Sequence, residues 1–251
     1  MSEREDLGLS PHGVPIAEVI PLRGVYKMIS DHMMRSHLGY AAYTIMGEVD
    51  LQAFEVFRKE LVPKVEDEFG VHISFTHLIV KVLGQTILEH PIMNSTLVED
   101  KVLILGEVNI GVAVALETGM LVVPVIKGAD KKSIVEIAES GIALAEKART
   151  NKLGIDDVTG GTFTLSNAGM FGGRSEAGYS TPIITEPQSA ILGLSASYEK
   201  PVVRQGEIVI SKVLPTSLTI DHRVINGVPA AQFMGTFNSL IEHPDQIDLG
   251  M

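Results

Sequence analysis

The sequence predicts a single mixed α/β domain, and three observations carry that expectation. Short runs of alternating or β-branched apolar residues are interleaved with segments whose apolar residues recur at helical spacing, the pattern by which strands and helices share one core. Hydrophobic residues make up 45% of 251, enough to bury a large core. No internal repeat, low-complexity tract or composition break marks a second domain.

Residues 1–18, rich in Gly, Pro, Ser and charge, are expected to form a flexible N-terminal arm, leaving 19–251 as the domain. The arm has no apolar stretch like that of a signal peptide. Leu22 to His37 reads as a helix and Tyr43 to Val49 as a strand. Asp50 is a candidate cap for a helix with Phe54, Phe57, Leu61 and Val65 on one face. Leu78, Ile79, Val82, Leu83 and Ile87 define the next helix, which must end before Pro91. From Val108 to Ile126 the chain is apolar but broken by Glu117, Gly119 and Pro124, so it falls short of the ~20 residues of a membrane span. It reads as two buried strands. In the first, Val108, Ile110, Val112, Val114 and Leu116 alternate with small residues, giving one bulky face and one that accepts close neighbours. Ser133 and Glu136 have capping-box spacing at the start of a helix that runs toward Lys152. Thr162 to Leu165 and Leu214 to Ile220 read as strands, and Ala230, Phe233, Phe237 and Leu240 as one face of a last helix.

Composition narrows the function classes. Thirty-one acidic residues against 20 basic ones, net −11, disfavour a surface that neutralises nucleic-acid phosphates. The chain has no Cys, which removes disulfides, thiolate nucleophiles and Cys metal sites and fits a reducing cytoplasm. It contains no G-x-x-x-x-G-K-[ST] phosphate loop, no H-E-x-x-H pair and no G-x-S-x-G elbow. The pairs His32/His37 and His72/His77 are five apart, out of line on a helix face, so no metal site is expected.

Two segments carry chemistry. In SLTIDHRVINGVPAA, Ser217 to Ala231, His222 falls on the connection between a strand and a helix. An imidazole there can be neutral at working pH and accept a proton, as a general base must; it can equally be a packing or capping residue. In GGTFTLSNAGMFGG, Gly160 to Gly173, Ser166 and Asn167 stand where a strand ends. A hydroxyl or amide at that place can donate to a developing oxyanion, or merely shape a turn.

Together these segments resemble the catalytic domain of the dihydrolipoyl acyltransferases, the E2 cores of 2-oxoacid dehydrogenase complexes, a family related in fold to chloramphenicol acetyltransferase. The family has a DHR-x-x-[DN]-G motif near its C-terminus and a TF-T-[IL]-[ST]-N-x-G motif some fifty residues earlier, and both occur here in that order. The resemblance runs on through PLRGVYKMISDHMMRS, EVDL, FRKEL, HPIMNS, NIGVAVALETGMLVVPVIKGAD and TPIITEPQSAILG, covering about Val19 to Asp248. It implies a chloramphenicol acetyltransferase-like mixed sheet flanked by helices, with the active site at a trimer interface.

It also implies roles. His222 would be the base that deprotonates the thiol of CoA or dihydrolipoamide, Ser166 the oxyanion donor and Asn226 the fourth motif group, with Ser166, Asn167 and Gly193 on the cofactor side. Coenzyme A would be a substrate, and the lipoyl group would come from another chain or from free lipoamide. A homotrimer, a larger cage of trimers, a separate lipoyl-bearing protein and the E1 and E3 enzymes are the implied partners; nucleic acid and membrane are not. The apolar residues of the C-terminal HPDQIDLGM, Ile247, Leu249 and Met251, would dock on another trimer or fray. The lipoyl and subunit-binding domains usual in the family do not occur in this sequence, so the chain is expected to be an excised or a free-standing catalytic core, and MSERED reads as a native start. Two features depart from the family. Asn226 stands where many relatives have aspartate, and Gly173 to Ser180 is a few residues longer than the usual link to the TP-I-I strand. The alternatives are a CoA-dependent acyltransferase acting on a hydroxyl or other small acceptor and a non-catalytic scaffold. The acyl group stays open among acetyl, succinyl and branched-chain.

Overall fold

The computed structural model describes residues 7–116, 119, 121–171 and 178–251. Residues 7–24 run as exposed chain with one bridge, Leu9 to Pro15, before α1 (Val25–Gly39). The helix begins three residues later than the pattern predicts, after Gly24, whose φ of 55° is left-handed.

Strand β1 (Ala42–Asp50) leads into α2 (Gln52–Phe69). Here Leu51, not Asp50, holds the N-cap position. Asp50 closes the strand, and its carboxylate accepts from the Gln52 N–H while also binding Arg204 and Ser211. Helix α3 (Phe75–Glu89) starts from a capping box in which Ser74 and His77 satisfy each other's backbone N–H groups. It ends before Pro91, as predicted. Strands β2 (Ser95–Val98) and β3 (Lys101–Ile104) form a separate hairpin.

The apolar stretch from Val108 corrects its prediction. Instead of two long strands it forms β4 (Ile110–Val112), β5 (Val114–Ala115), β6 (Leu121–Val122) and β7 (Val125–Ile126). Strands β4 and β7 join the main sheet, whereas β5 and β6 pair only with each other. Pro124, between β6 and β7, has no N–H for a ladder, so pairing breaks there.

Helix α4 (Ile134–Arg149) has the predicted Ser133–Glu136 box. The short α5 (Ile155–Val158) precedes β8 (Phe163–Asn167), and β9 (Ala190–Leu194), β10 (Tyr198–Arg204), β11 (Glu207–Asp221) and α6 (Gly227–Glu242) follow. The sheet order is β1-β11-β9-β8-β4-β7, with β4, β8 and β9 parallel and the other pairs antiparallel. The long β11 carries β1 along one edge and, on the other, first β10 and then β9.

One face of this sheet is the core. Phe163, Leu165, Leu192, Leu218 and Ile220 pack against Phe54 and Leu61 of α2, Leu78 and Leu83 of α3, and Phe233 and Phe237 of α6. Side chains alternate along a strand, so Thr164 and Ser166 belong to the reverse face.

The C-terminal residues up to Leu249 pack on their own domain. Ile247 is buried, Leu249 packs on the core, and the Leu249 carbonyl accepts from the Ile134 N–H at the start of α4. Gln85 of α3 bonds both Gln246 and Asp248. Among these apolar residues, only Met251 stays exposed. Among the described residues no helix is long and apolar enough to cross a membrane.

Candidate active site

His222 is held out from the sheet by its two sequence neighbours. Asp221, the last residue of β11, is fully buried and its N–H donates to the Ser189 carbonyl. Its carboxylate accepts from the Arg223 backbone N–H at 3.1 Å, from Nε at 2.9 and 3.1 Å and from Nη2 at 2.6 Å. The aspartate and arginine thus grip each other around the histidine, whose N–H donates to the Ala41 carbonyl at 2.9 Å. This is the physical content of the D-H-R pattern: a charged fork pins both flanks, and the residue between them projects into solvent.

The chain just before β1 supports the same turn. The Arg223 guanidinium lies 5.5 Å from the Tyr40 ring centroid. Burial, helped by the Glu186 and Asp221 carboxylates, pushes the Tyr40 phenol up to about 12. The Tyr43 ring meets the His222 ring edge to face, centroids 5.2 Å apart at 84°. The imidazole nitrogens have no hydrogen-bond partner among the described residues.

Asn226 is the N-cap residue of α6, extended at φ −80° and ψ 166°. Its carbonyl accepts from the Ala230 N–H, but its exposed side chain makes no capping bond. Asn226 and Gly227 thus form the entry to α6.

Ser166 is the fourth residue of β8, half-buried, with no hydrogen-bond partner for its hydroxyl among the described residues. Two positions earlier, the Thr164 hydroxyl is taken by Gln188 at 2.7 Å. Asn167 is buried and its amide is committed: Nδ2 donates to Thr76 Oγ1 at 3.3 Å and Oδ1 accepts from the Gly169 N–H at 3.2 Å. It ties the strand end to α3. Gly193 is the β9 neighbour of Ser166, and a Cβ there would come within 3.2 Å of the Pro182 ring. A side chain there would press on that ring.

Ser166 pairs in register with Gly193, and Gly193 with Ser217 of β11. His222 lies five residues beyond that row. Two strand spacings across and five residues along place Ser166 and His222 of one chain roughly 20 Å apart. The structure does not bring them together within a protomer.

Beside Asn167 opens a cleft of about 340 Å3. Thr76, Asn167, Gly169 and Ser195 line one part of it, and Arg58, Glu55 and Lys212 another. Glu55 accepts from Lys212 at 2.9 Å and from Arg58 at 3.5 Å, while Arg58 Nε is buried without a partner among the described residues. Sequence reasoning missed this basic cluster, because Glu55 and Lys212 are 157 positions apart and no local pattern joins them. A wider cleft of about 930 Å3, lined by Asp50, Glu60, Glu242 and Asp245, sits at the opposite end of β1 from His222 and holds neither motif residue. Most of the long link after Gly173, residues 173–177, lies outside the described residues.

The family model of the 2-oxoacid dehydrogenases acyltransferase catalytic domain matches residues 15–249. The chain belongs to this acyltransferase family. It is 38% identical over 228 residues to the acetyltransferase component of the acetoin cleaving system of Bacillus subtilis, covering 91% of this chain and 56% of that protein. It is 35% identical to the succinyltransferase component of the 2-oxoglutarate dehydrogenase complex of Haemophilus influenzae, covering 91% and 54%. The acyltransferase chain therefore spans about half the length of these relatives. Two solved structures are 33% identical with a TM-score of 0.86, each match covering 94% of this chain and 96% of the other. One is the cubic core of a pyruvate dehydrogenase multienzyme complex. The other is the Azotobacter vinelandii dihydrolipoamide acetyltransferase, in which a serine, a histidine and an asparagine were investigated for their roles in catalysis. In that enzyme the asparagine follows the histidine by four positions, as Asn226 follows His222. Asparagine at the fourth motif place is thus shared with a relative. The serine-to-histidine interval there is four residues shorter than from Ser166 to His222. Chloramphenicol acetyltransferase, 14% identical with a TM-score of 0.52 over 89% of this chain, shares the fold alone.

Proposed function

We propose that the protein moves an acyl group between the thiols of coenzyme A and dihydrolipoamide, at a site built from His222 of one protomer and Ser166 of its neighbour. One observation carries the reading: both motif residues present polar atoms without partners among the described residues, yet stand roughly 20 Å apart in one chain, so a second protomer is needed to join them.

The neutral imidazole takes the thiol proton as sulfur attacks the partner thioester carbonyl, which matters because a free thiol with a pKa near about 8.5 is mostly protonated at neutral pH. Ser166 donates to the tetrahedral oxyanion. Collapse expels the other thiolate, which recovers the proton from the imidazolium. Arg58 and Lys212, in the cleft beside Asn167, supply the charge that coenzyme A phosphates require. Gly193, beside Ser166 in the sheet, leaves room for the Pro182 ring against that strand. The Asn226 amide is free to orient groups at the interface.

A homotrimer, or a cage of trimers like the cubic core, would complete the site. A lipoyl-bearing protein with E1 and E3 enzymes would supply and drain the acyl group in the cytoplasm. Acetyl- and succinyl-transferring relatives match at similar identity, so the acyl group is best assigned by a panel of acyl-CoAs against dihydrolipoamide. In that assay Ser166→Ala should lower kcat by about 10²–10³ with KM little changed, and His222→Ala by at least as much. Wild-type turnover in His222→Ala would overturn the assignment.

A further inference from the structure

Resting on that reading, we infer that Tyr43 is a positioning residue for the base: its ring fixes the rotamer of the His222 imidazole. The DHR fork holds the backbone on both sides of His222, but nothing in it touches the ring. Two side-chain torsions of an exposed histidine are then open, and a general base must be aimed to within a fraction of an ångström. Tyr43 supplies the missing constraint. It is the second residue of β1, opposite Ile220 in the β11 register, and Thr44 bonds Thr219 at 2.9 Å next to it, so the tyrosine backbone is tied to the strand that delivers the histidine. The Ala41 carbonyl accepts from His222 N–H two residues earlier. From this anchored base the ring reaches the imidazole edge to face, centroids 5.2 Å apart, an arrangement that aromatic quadrupoles favour.

Tyr40 and Tyr43 have separate parts in this turn, since Tyr40 supports the Arg223 guanidinium and Tyr43 the imidazole. The Tyr43 hydroxyl has no hydrogen-bond partner among the described residues, so the ring, and not the phenol, carries the contact.

The test uses the assembled protein in the acyl-CoA:dihydrolipoamide assay. Tyr43→Leu should lower kcat by about tenfold with KM for acyl-CoA and for dihydrolipoamide within twofold, because substrate contacts are intact and the base is misaimed. Tyr43→Phe should restore kcat to within about twofold of wild type. The same kcat in Tyr43→Leu as in wild type would overturn the inference, as would equal losses in Tyr43→Leu and Tyr43→Phe, which would assign the effect to the hydroxyl. A rise in KM with unchanged kcat would also overturn it, by making Tyr43 a substrate contact. His222→Ala measured in parallel separates the two levels: activity surviving in that variant defeats the mechanism itself, whereas an inactive His222→Ala with an unaffected Tyr43→Leu defeats the positioning role alone.

Discussion

Removing the Arg223 fork should unsettle both stability and turnover, through a carboxylate that has nowhere else to go. Asp221 is fully buried, and Arg223→Met deletes the Nε and Nη2 contacts at 2.9, 3.1 and 2.6 Å while keeping an apolar stem over Tyr40. Within the fork, only the Arg223 N–H at 3.1 Å is left to that carboxylate. Stripping one partner from a buried ion pair costs about 3–5 kcal/mol, but the Arg223 side chain is 45% exposed and water can enter behind it, so about 2 kcal/mol is the better figure. For a domain of this size that is a fall of about 4–8 °C in Tm, read at fixed protein concentration because assembly also contributes. His222 lies between the two clamped residues, so kcat should fall by about tenfold or more with KM for coenzyme A little affected. Arg223→Met with wild-type Tm and wild-type kcat would refute the idea that the D-H-R pattern exists to hold the histidine.

Two further outcomes are expected. Burial, with a small contribution from His72, lowers the His77 pKa to about 4, below its ordinary 6.5. Between these values the unfolded chain binds the proton and the folded chain does not, so stability rises with pH across that window and is lost as pH falls from about 6.5 toward 4, by about 3 kcal/mol at most. His77→Gln keeps a capping-box residue opposite Ser74 but cannot titrate, so its urea midpoint should vary less than wild type between pH 4 and 6.5; an identical slope would count against the buried neutral histidine. Asn226→Asp should leave turnover near normal, since Asn226 makes no capping bond and a carboxylate at the N-terminus of α6 is well placed; loss of activity would show that the amide donates in the reaction.

Much of the fold could be read in local pattern, where the physics is local. The Ser133–Glu136 box, the end of α3 before Pro91 and the strand closing at Ser166 and Asn167 depend on residues a few positions apart. The same holds for the DHR and TF-T-L-S-N motifs, which fall between β11 and α6 and at the end of β8. What the pattern missed depends on partners far along the chain. The stretch from Val108 to Ile126 has strand periodicity throughout, but β4 finds β8 beside it while Val114 and Ala115 find only β6. Ile247 and Leu249 looked like a loose apolar end until α3 and α4 were seen to receive them. Asp50 does accept from the first N–H of α2, but its other attachments, to Arg204 and Ser211, span 154 and 161 positions. The basic cleft at Arg58 and Lys212 and the Tyr43–His222 contact are invisible for the same reason.

The most direct test of a shared site is subunit complementation. His222→Ala and Ser166→Ala chains, each nearly inactive alone, are co-expressed in equal amounts and the mixed assemblies purified. If the imidazole of one protomer works with the hydroxyl of the next, about one interface in four of a closed ring unites two intact residues, and about a quarter of wild-type turnover should return. Mixed assemblies no more active than the average of the two variants would place both residues in a single protomer's site, or in no common site at all.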